Sequence, residues 1–198
     1  MTSDNPPQIT LPPNWFAYAK LNFEVLLEQY KNQPGTQMLQ IGAYTGDASL
    51  WLVKNILTGE GAHLTDVDTW EGSAGEPEHR ALNWRTIWNI YFTRLKGHPV
   101  TPFKMTSDEY FEFFKPHEQF DIIYIDGGHT KEQVARDAGN AHTALKPGGL
   151  LIFDDYTWIG GTDGDRPVDA IDPFYYAHQE EYEVICVNDQ VWLKKTTT

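Results

Sequence analysis

The chain has 198 residues, 40% of them hydrophobic and 14% aromatic, and a formal net charge of -13 at pH 7. That length carries one α/β domain with a sizeable core and is too short for two large ones. The acidic balance opposes nonspecific binding to nucleic acid or an anionic membrane, and no Lys/Arg cluster larger than Lys194-Lys195 offsets it. A single cysteine, Cys186, excludes an intrachain disulfide and suits a reducing cytoplasm. Met1 to Pro13 has no basic or apolar stretch that reads as a signal peptide, and no apolar run nears the roughly 20 residues that span a bilayer.

In chain order, residues 1–13 read as a polar, proline-rich arm and 14–198 as one domain. Trp15 to Tyr30 carries apolar residues at helical spacing behind Asn14, a plausible N-cap. Thr36 to Ile41 reads as the first strand. The turn Gly42-Ala43-Tyr44-Thr45-Gly46 follows, then a helix from Asp47 to Leu57. His63 to Val67 is the second strand, ending in Asp68. Residues 69–88 read as a lid-like insert, with a loop to Glu78 and an aromatic helix from Arg80 to Lys96. Pro99 to Lys104 is a third strand, and Ser107 to Phe114 a helix. Asp121 to Ile125 is a fourth strand. The next helix, Thr130 to Leu145, opens on Thr130-Lys131-Glu132-Gln133, a capping-box pattern, and closes at Lys146-Pro147-Gly148-Gly149. Leu150 to Phe153 is a fifth strand. A Gly/Asp-rich loop leads to a short helix, Val168 to His178, interrupted by Pro173. Glu183–Val187 and Gln190–Lys194 flank Asn188-Asp189 as a terminal hairpin.

Short apolar runs alternating with helices predict a doubly wound, mostly parallel sheet. Ligands of such sheets bind outside the carboxyl ends of the strands. Asp126, Asp154 and Asp155 all arrive there, each just past an apolar run. Three carboxylates in one crevice repel one another unless something positive sits between them, and a divalent cation such as magnesium is the simple solution. Asp154 and Asp155 can both face the crevice only if the chain turns between them.

Gly42 and Gly46 let a βα turn approach a ligand closely, although a plain turn would look the same. The pattern is not the dinucleotide fingerprint, which disfavours a nicotinamide enzyme. Asp68 is placed to accept hydrogen bonds from both hydroxyls of a ribose. His129 follows Gly127-Gly128 and reads either as a general base or as a helix-start residue bonded to a neighbouring acid. Trp70, His79, Trp84 and Trp88 could cap the site, but Trp84 and Trp88, four apart, read better as helix packing. The remaining histidines show no His-x-x-x-His spacing, which argues against zinc.

Four motifs in order resemble the class I S-adenosylmethionine-dependent methyltransferases. They are Gln40 to Gly46, Asp66 to Gly72, Tyr124 to His129 and Lys146 to Tyr156. The likeness is to the small metal-dependent O-methyltransferases, of the catechol type and the bacterial sugar and macrolide type. It implies a Rossmann-like seven-stranded sheet of order 3-2-1-4-5-7-6 with strand seven antiparallel. It also implies that Gln40, Gly42, Ala43, Tyr44, Gly46, Asp68, Thr69, Ser107 and Asp126 surround S-adenosyl-L-methionine. Asp126, Asp154 and Asp155 fall at the family's metal-ligand positions, and His129 aligns with the catechol-type general base, usually lysine. Three departures stand out, one of them Ala48, which stands where the motif usually has a small hydroxyl residue, with Ser49 next. Gln40 replaces an acid that opens the first motif, and Gly128 stands where the sugar type often has Asp.

The resemblance implies transfer of a methyl group to a hydroxyl of a small sugar, polyol or catechol-like acceptor, and the acidic charge leads us to expect no nucleic acid or membrane partner. A homodimer is permitted by the aromatics of the first helix. The alternatives are a non-catalytic S-adenosylmethionine binder, an oxidoreductase on the same fold and a nucleic-acid methyltransferase.

Overall fold

A computed structural model describes residues 12–73 and 76–197. Most of the predicted arm, residues 1–11, lies outside the described residues. The strands are β1 (Gln37–Ile41), β2 (His63–Asp68), β3 (Val100–Lys104), β4 (Phe120–Ile125), β5 (Leu145–Phe153), β6 (Tyr182–Val187) and β7 (Val191–Lys195). They form one sheet of order β3-β2-β1-β4-β5-β7-β6. The first five are parallel, and β7 runs antiparallel to both β5 and β6. This is the predicted topology.

Helices cover both faces. On one side α1 (Phe16–Leu26), α2 (Asp47–Asn55) and α3 (Trp84–Leu95) bury Met38, Ile122, Tyr124, Leu150 and Ile152. On the other α4 (Ser107–Phe114), α5 (Lys131–Ala144) and α6 (Val168–Ala177) bury Leu39, Ile123, Ile125, Leu151 and Phe153. Successive strand residues face opposite layers, and both layers are dry, so the central strands read as unbroken apolar runs. Trp70 and Trp192 are among the largest fully buried side chains. Tyr18, Leu21 and Val25 stand exposed along α1.

Several boundaries differ from the sequence reading. Trp15, not Asn14, holds the N-cap position of α1, without a side-chain cap bond. The helix ends at Leu26, and a 3-10 turn over Glu28–Tyr30 follows. The expected helix from Arg80 is split into a 3-10 turn, Pro77–Ala81, and α3, because Asn83 caps the latter by accepting from the Thr86 N–H at 3.0 Å. Thr130 does cap α5, but Gln133 does not reach back to complete the box. Its amide donates instead to Ser107 Oγ at 3.0 Å and Asp137 Oδ1 at 3.2 Å. A reciprocal box sits at Thr106 and Glu109, at the start of α4. Lys146–Gly149 belongs to β5 as a bulge: the register jumps from Phe120↔Leu145 to Ile122↔Leu150. Pro173 lies inside α6 without ending it.

Candidate active site

Two constellations meet at the carboxyl ends of the parallel strands. The first is the turn after β1. Gly42 has φ +85°, and a Cβ there would lie 1.8 Å from the Asp126 carbonyl oxygen. No side chain fits, because β1 and β4 are laced together at that point by the Asp126 N–H to Ile41 carbonyl bond of 2.8 Å. Gly46, at φ +76°, begins α2, and a Cβ there would meet Leu95 at 2.6 Å and Tyr91 at 2.9 Å. The turn is thus seated against α3. Arg94 of α3 pairs with Asp47 at 2.8 Å and donates to the Thr45 carbonyl at 3.0 Å.

Asp68 fastens this turn. Its Oδ2 accepts from the Ala43 and Tyr44 N–H groups, each at 2.8 Å, and its Oδ1 from the Trp70 N–H at 2.6 Å. Trp70 closes the arrangement by donating its indole N–H to the Tyr44 carbonyl at 2.8 Å. Its burial makes it core, while Trp84 and Trp88 pack against the same layer. Gln40 donates to the Gly42 carbonyl at 2.8 Å, leaving a buried Oε1 without a partner. The Tyr44 ring, at φ +47°, stacks on Trp15 with centroids 4.3 Å apart, and its buried hydroxyl also lacks a partner. Thr69 is half-buried and accepts from the Glu71 N–H at 3.2 Å. Ser107 is buried at the first turn of α4 and accepts from the Gln133 amide at 3.0 Å.

The second constellation is acidic. Asp155 takes φ +57°, so the chain does turn after Asp154, and the two carboxylates diverge. Single ligand atoms of Asp126, His129 and Asp155 all lie within 4.8 Å of one another. Asp154 is not part of that group. Its Oδ2 accepts from the Tyr124 hydroxyl and, at 3.1 Å, from Gln190; its Oδ1 accepts from the Asp155 N–H at 2.9 Å. The same Tyr124 hydroxyl donates to Asp126 at 2.9 Å. One phenolic proton cannot serve both carboxylates at once, so the trio needs a second positive contribution.

Burial, then the charges of Asp154 and Asp155, push the Asp126 carboxyl well above the usual carboxylate range. Burial and Asp155 push Asp154 up to about 6. His129 supplies a positive counterpart. Its Nε2 lies 2.8 Å from Asp155 Oδ2 and its Nδ1 lies 3.5 Å from Glu76 Oε1. Burial lowers the basicity of this imidazole, but the Asp155 hydrogen bond and the Asp155 and Glu76 charges outweigh burial and raise it overall. Trp158 packs edge-on against the ring, at 4.8 Å.

Sequence reasoning missed Glu76, Tyr124 and Gln190. Glu76 is 2% exposed, with Oε2 held by His79 Nε2 at 3.1 Å. Its Oε1 and the facing His129 Nδ1 have no hydrogen-bond partner of good geometry. Tyr124 carried a readable signal, since residues two apart on a strand share a face and Asp126 is two further on. Glu76, in a loop, carried none.

The methyltransferase domain family matches residues 39–156, from the middle of β1 to just past Asp155. The chain belongs to that family. It is a methyltransferase, and the class I fold that its motifs resemble is the fold it has. Solved structures share that fold at low identity. An O-methyltransferase from Bacillus cereus, in complex with SAH, is 17% identical with a TM-score of 0.61, over 96% of this chain and 84% of that one. TomG from Streptomyces achromogenes, an O-methyltransferase involved in tomaymycin synthesis and solved with SAM, is 15% identical with a TM-score of 0.65, over 96% and 83%. No curated protein sequence matches the chain.

Proposed function

We propose that this methyltransferase transfers the methyl group of S-adenosylmethionine to a hydroxyl oxygen of a small sugar, polyol or catechol-like acceptor, with Mg²⁺ bound beside it. The observation that carries the reading is the convergence of Asp126, His129 and Asp155 within one crevice, next to the Gly42–Gly46 turn. The donor set fits a hard cation: carboxylate oxygens in excess of the protons available to them, and an imidazole that a bound ion could free from Asp155. Asp126 and Asp155 would hold the ion, and Asp154 would brace them through Tyr124 and the Asp155 N–H. A bound Mg²⁺ supplies Lewis acidity and a template for two neighbouring acceptor oxygens.

The remaining roles fall to the chain. The turn at Gly42, fastened by Asp68, presents Gln40 Oε1 and the backbone to S-adenosylmethionine, whose ribose would take the free capacity of Asp68 and whose adenine would lie toward Ser107 and Thr69. His129 would take the acceptor's hydroxyl proton as the new O–CH₃ bond forms and the S–CH₃ bond breaks, releasing S-adenosylhomocysteine. Positioning supplies much of the acceleration, a contribution that can reach about 7–11 kcal/mol. Residues 69–88 would act as the lid over the acceptor, because they deliver Glu76 to His129. A net charge of -13 favours a small acceptor over a polyphosphate chain. Among the described residues, no helix is long and apolar enough to cross a membrane.

Calorimetric titration of S-adenosylhomocysteine, with magnesium and then with EDTA, tests this. The expected result is cofactor binding in both conditions and a separate magnesium isotherm that Asp155→Asn abolishes. No cofactor binding would remove the reading. Turnover that survives both chelation and Asp155→Asn would remove the metal from it.

A further inference from the structure

We propose that His142, His178 and Glu181 form a second metal site, suited to Zn²⁺, at the end of the molecule opposite the candidate active site. His142 lies in the last turn of α5, His178 directly follows α6, and Glu181 precedes β6. The end of α5 is tied to the start of β4 by the Glu118 N–H to Thr143 carbonyl bond of 3.0 Å and the Gln119 N–H to Ala144 carbonyl bond of 2.8 Å. That places the cluster at the amino ends of the parallel strands, whereas Asp126 and Asp155 stand at their carboxyl ends.

The geometry is that of a ligand set. Single ligand atoms of the three residues lie within 4.8 Å of one another. His142 Nε2 is 3.6 Å from Glu181 Oε2, and His178 Nδ1 is 2.8 Å from Glu181 Oε1. A four-coordinate zinc with bonds of about 2.0–2.1 Å holds its ligand atoms roughly 3.3 Å apart, so small side-chain movements suffice. Two imidazoles and one carboxylate are the donors a borderline ion such as Zn²⁺ prefers, and three protein ligands leave a fourth position for water.

The outer contacts are also in place. His142 Nδ1 lies 3.0 Å from the hydroxyl of buried Tyr182. Donating there fixes the tautomer and leaves Nε2 with its lone pair toward Glu181, the arrangement that orients metal-bound histidines. The two imidazoles lie 4.4 Å apart, and Phe174 packs against both. Burial, then the charges of Lys195 and His178, hold His142 below its usual range, so it offers a neutral nitrogen. An ion at His178 Nδ1 would take the place of the hydrogen that now bonds Glu181, leaving the ring N–H on Nε2. Lys195, whose Nζ caps the His142 carbonyl at 2.7 Å, works against a second positive charge, so binding is expected to be weaker than in a closed four-ligand site. The bound ion would join the end of α5 to the segment between α6 and β6.

The test is zinc titration of the metal-free chain by calorimetry and thermal melting, comparing wild type with His178→Gln, Glu181→Gln and Asp155→Asn. A zinc isotherm and a higher Tm with zinc, both lost in His178→Gln and Glu181→Gln and both retained in Asp155→Asn, are expected, and any zinc taken by the Asp126, His129 and Asp155 cluster shows as a second isotherm that Asp155→Asn removes. Melting temperatures of the metal-free variants close to wild type confirm that folding is not the cause. Zinc binding unchanged in His178→Gln, zinc binding lost only in Asp155→Asn, or no zinc binding to wild type would each overturn the proposal.

Discussion

Asp68 and Asp126 end neighbouring parts of the same sheet edge, yet their carboxylates live differently. Asp68 is met by three backbone N–H groups at 2.6–2.8 Å. Asp126 is met by one phenol that Asp154 also claims, with Asp155 and Glu76 close by. Backbone donors come with the fold and cost nothing further once the turn has formed. Side-chain acids need protons or cations from elsewhere. The turn is therefore satisfied by the fold itself, whereas the acid cluster is left short of positive partners, which is why it is the cation site proposed above.

The largest effect comes from breaking the point where the two regions touch. Gly42→Ala puts a methyl group 1.8 Å from the Asp126 carbonyl oxygen and 3.0 Å from the Gly127 nitrogen, all backbone that cannot swing aside, and at positive φ. Strain and overpacking together should cost about 3 kcal/mol or more. Urea denaturation should find the variant barely folded, and a wild-type midpoint would show that β1 and β4 can separate.

Asp68→Ala should come next. It strands three N–H groups, partly exposed, and should cost about 2 kcal/mol while abolishing S-adenosylhomocysteine binding. If the variant binds the cofactor normally, the turn does not depend on its fastening.

How much of this was legible in the sequence follows the same division. The turn and the strand-end acids could be read because each sits at the boundary between an apolar run and a punctuating glycine or acid. The sheet order came from the resemblance, since parallel strands carry no label for their neighbours. The divergence of Asp154 from Asp155 depends on one left-handed residue, a choice made by contacts with Tyr124 and Gln190 that lie far apart in the chain. Gln133 carried a local capping signal, and a tertiary partner, Ser107, won it. Glu76 sits in a loop with no periodicity, so its burial against His129 is purely a product of the assembled fold. His142 and His178 likewise come from different helices, beyond any spacing rule.

The acid cluster can be probed by pH. Asp154 rises from 3.8 to about 6, and Asp126 moves in the same direction. A carboxyl that holds its proton more tightly when folded stabilises the fold fully below pH 4 and loses that contribution as pH rises through 6. Metal-free protein should thus lose on the order of 2 kcal/mol from Asp154 alone between pH 4 and 7, and Asp126 adds to the loss in the same direction. Asp66, raised to about 7, and Asp137, raised to about 6, shift stability the same way but stand outside the cluster. Magnesium separates the contributions: it should restore stability at pH 7, do little at pH 4.5, and do nothing in Asp155→Asn. Denaturation with and without EDTA at both pH values reads this directly. A magnesium effect absent at pH 7 would mean that His129 and protons already satisfy the acids.

The smallest effect sharpens the comparison from the side of the glycines. Gly128 stands beside His129 in a loop that looks as constrained as the Gly42 turn, yet the nearest atoms to a Cβ there are Gln133 Cγ at 3.6 Å, Ser73 Oγ at 3.7 Å and Gln133 Cβ at 4.0 Å. Those are ordinary contacts, and no positive φ forbids a side chain. Gly128→Ala should change stability by no more than about 0.5 kcal/mol. Its effect on turnover then becomes informative, because a methyl group at this position reports whether the acceptor approaches the loop between Ser73 and Gln133. An unchanged kcat/KM would place the acceptor on the other side of His129, toward Trp158. A raised KM at unchanged stability would place it over Gly128 itself.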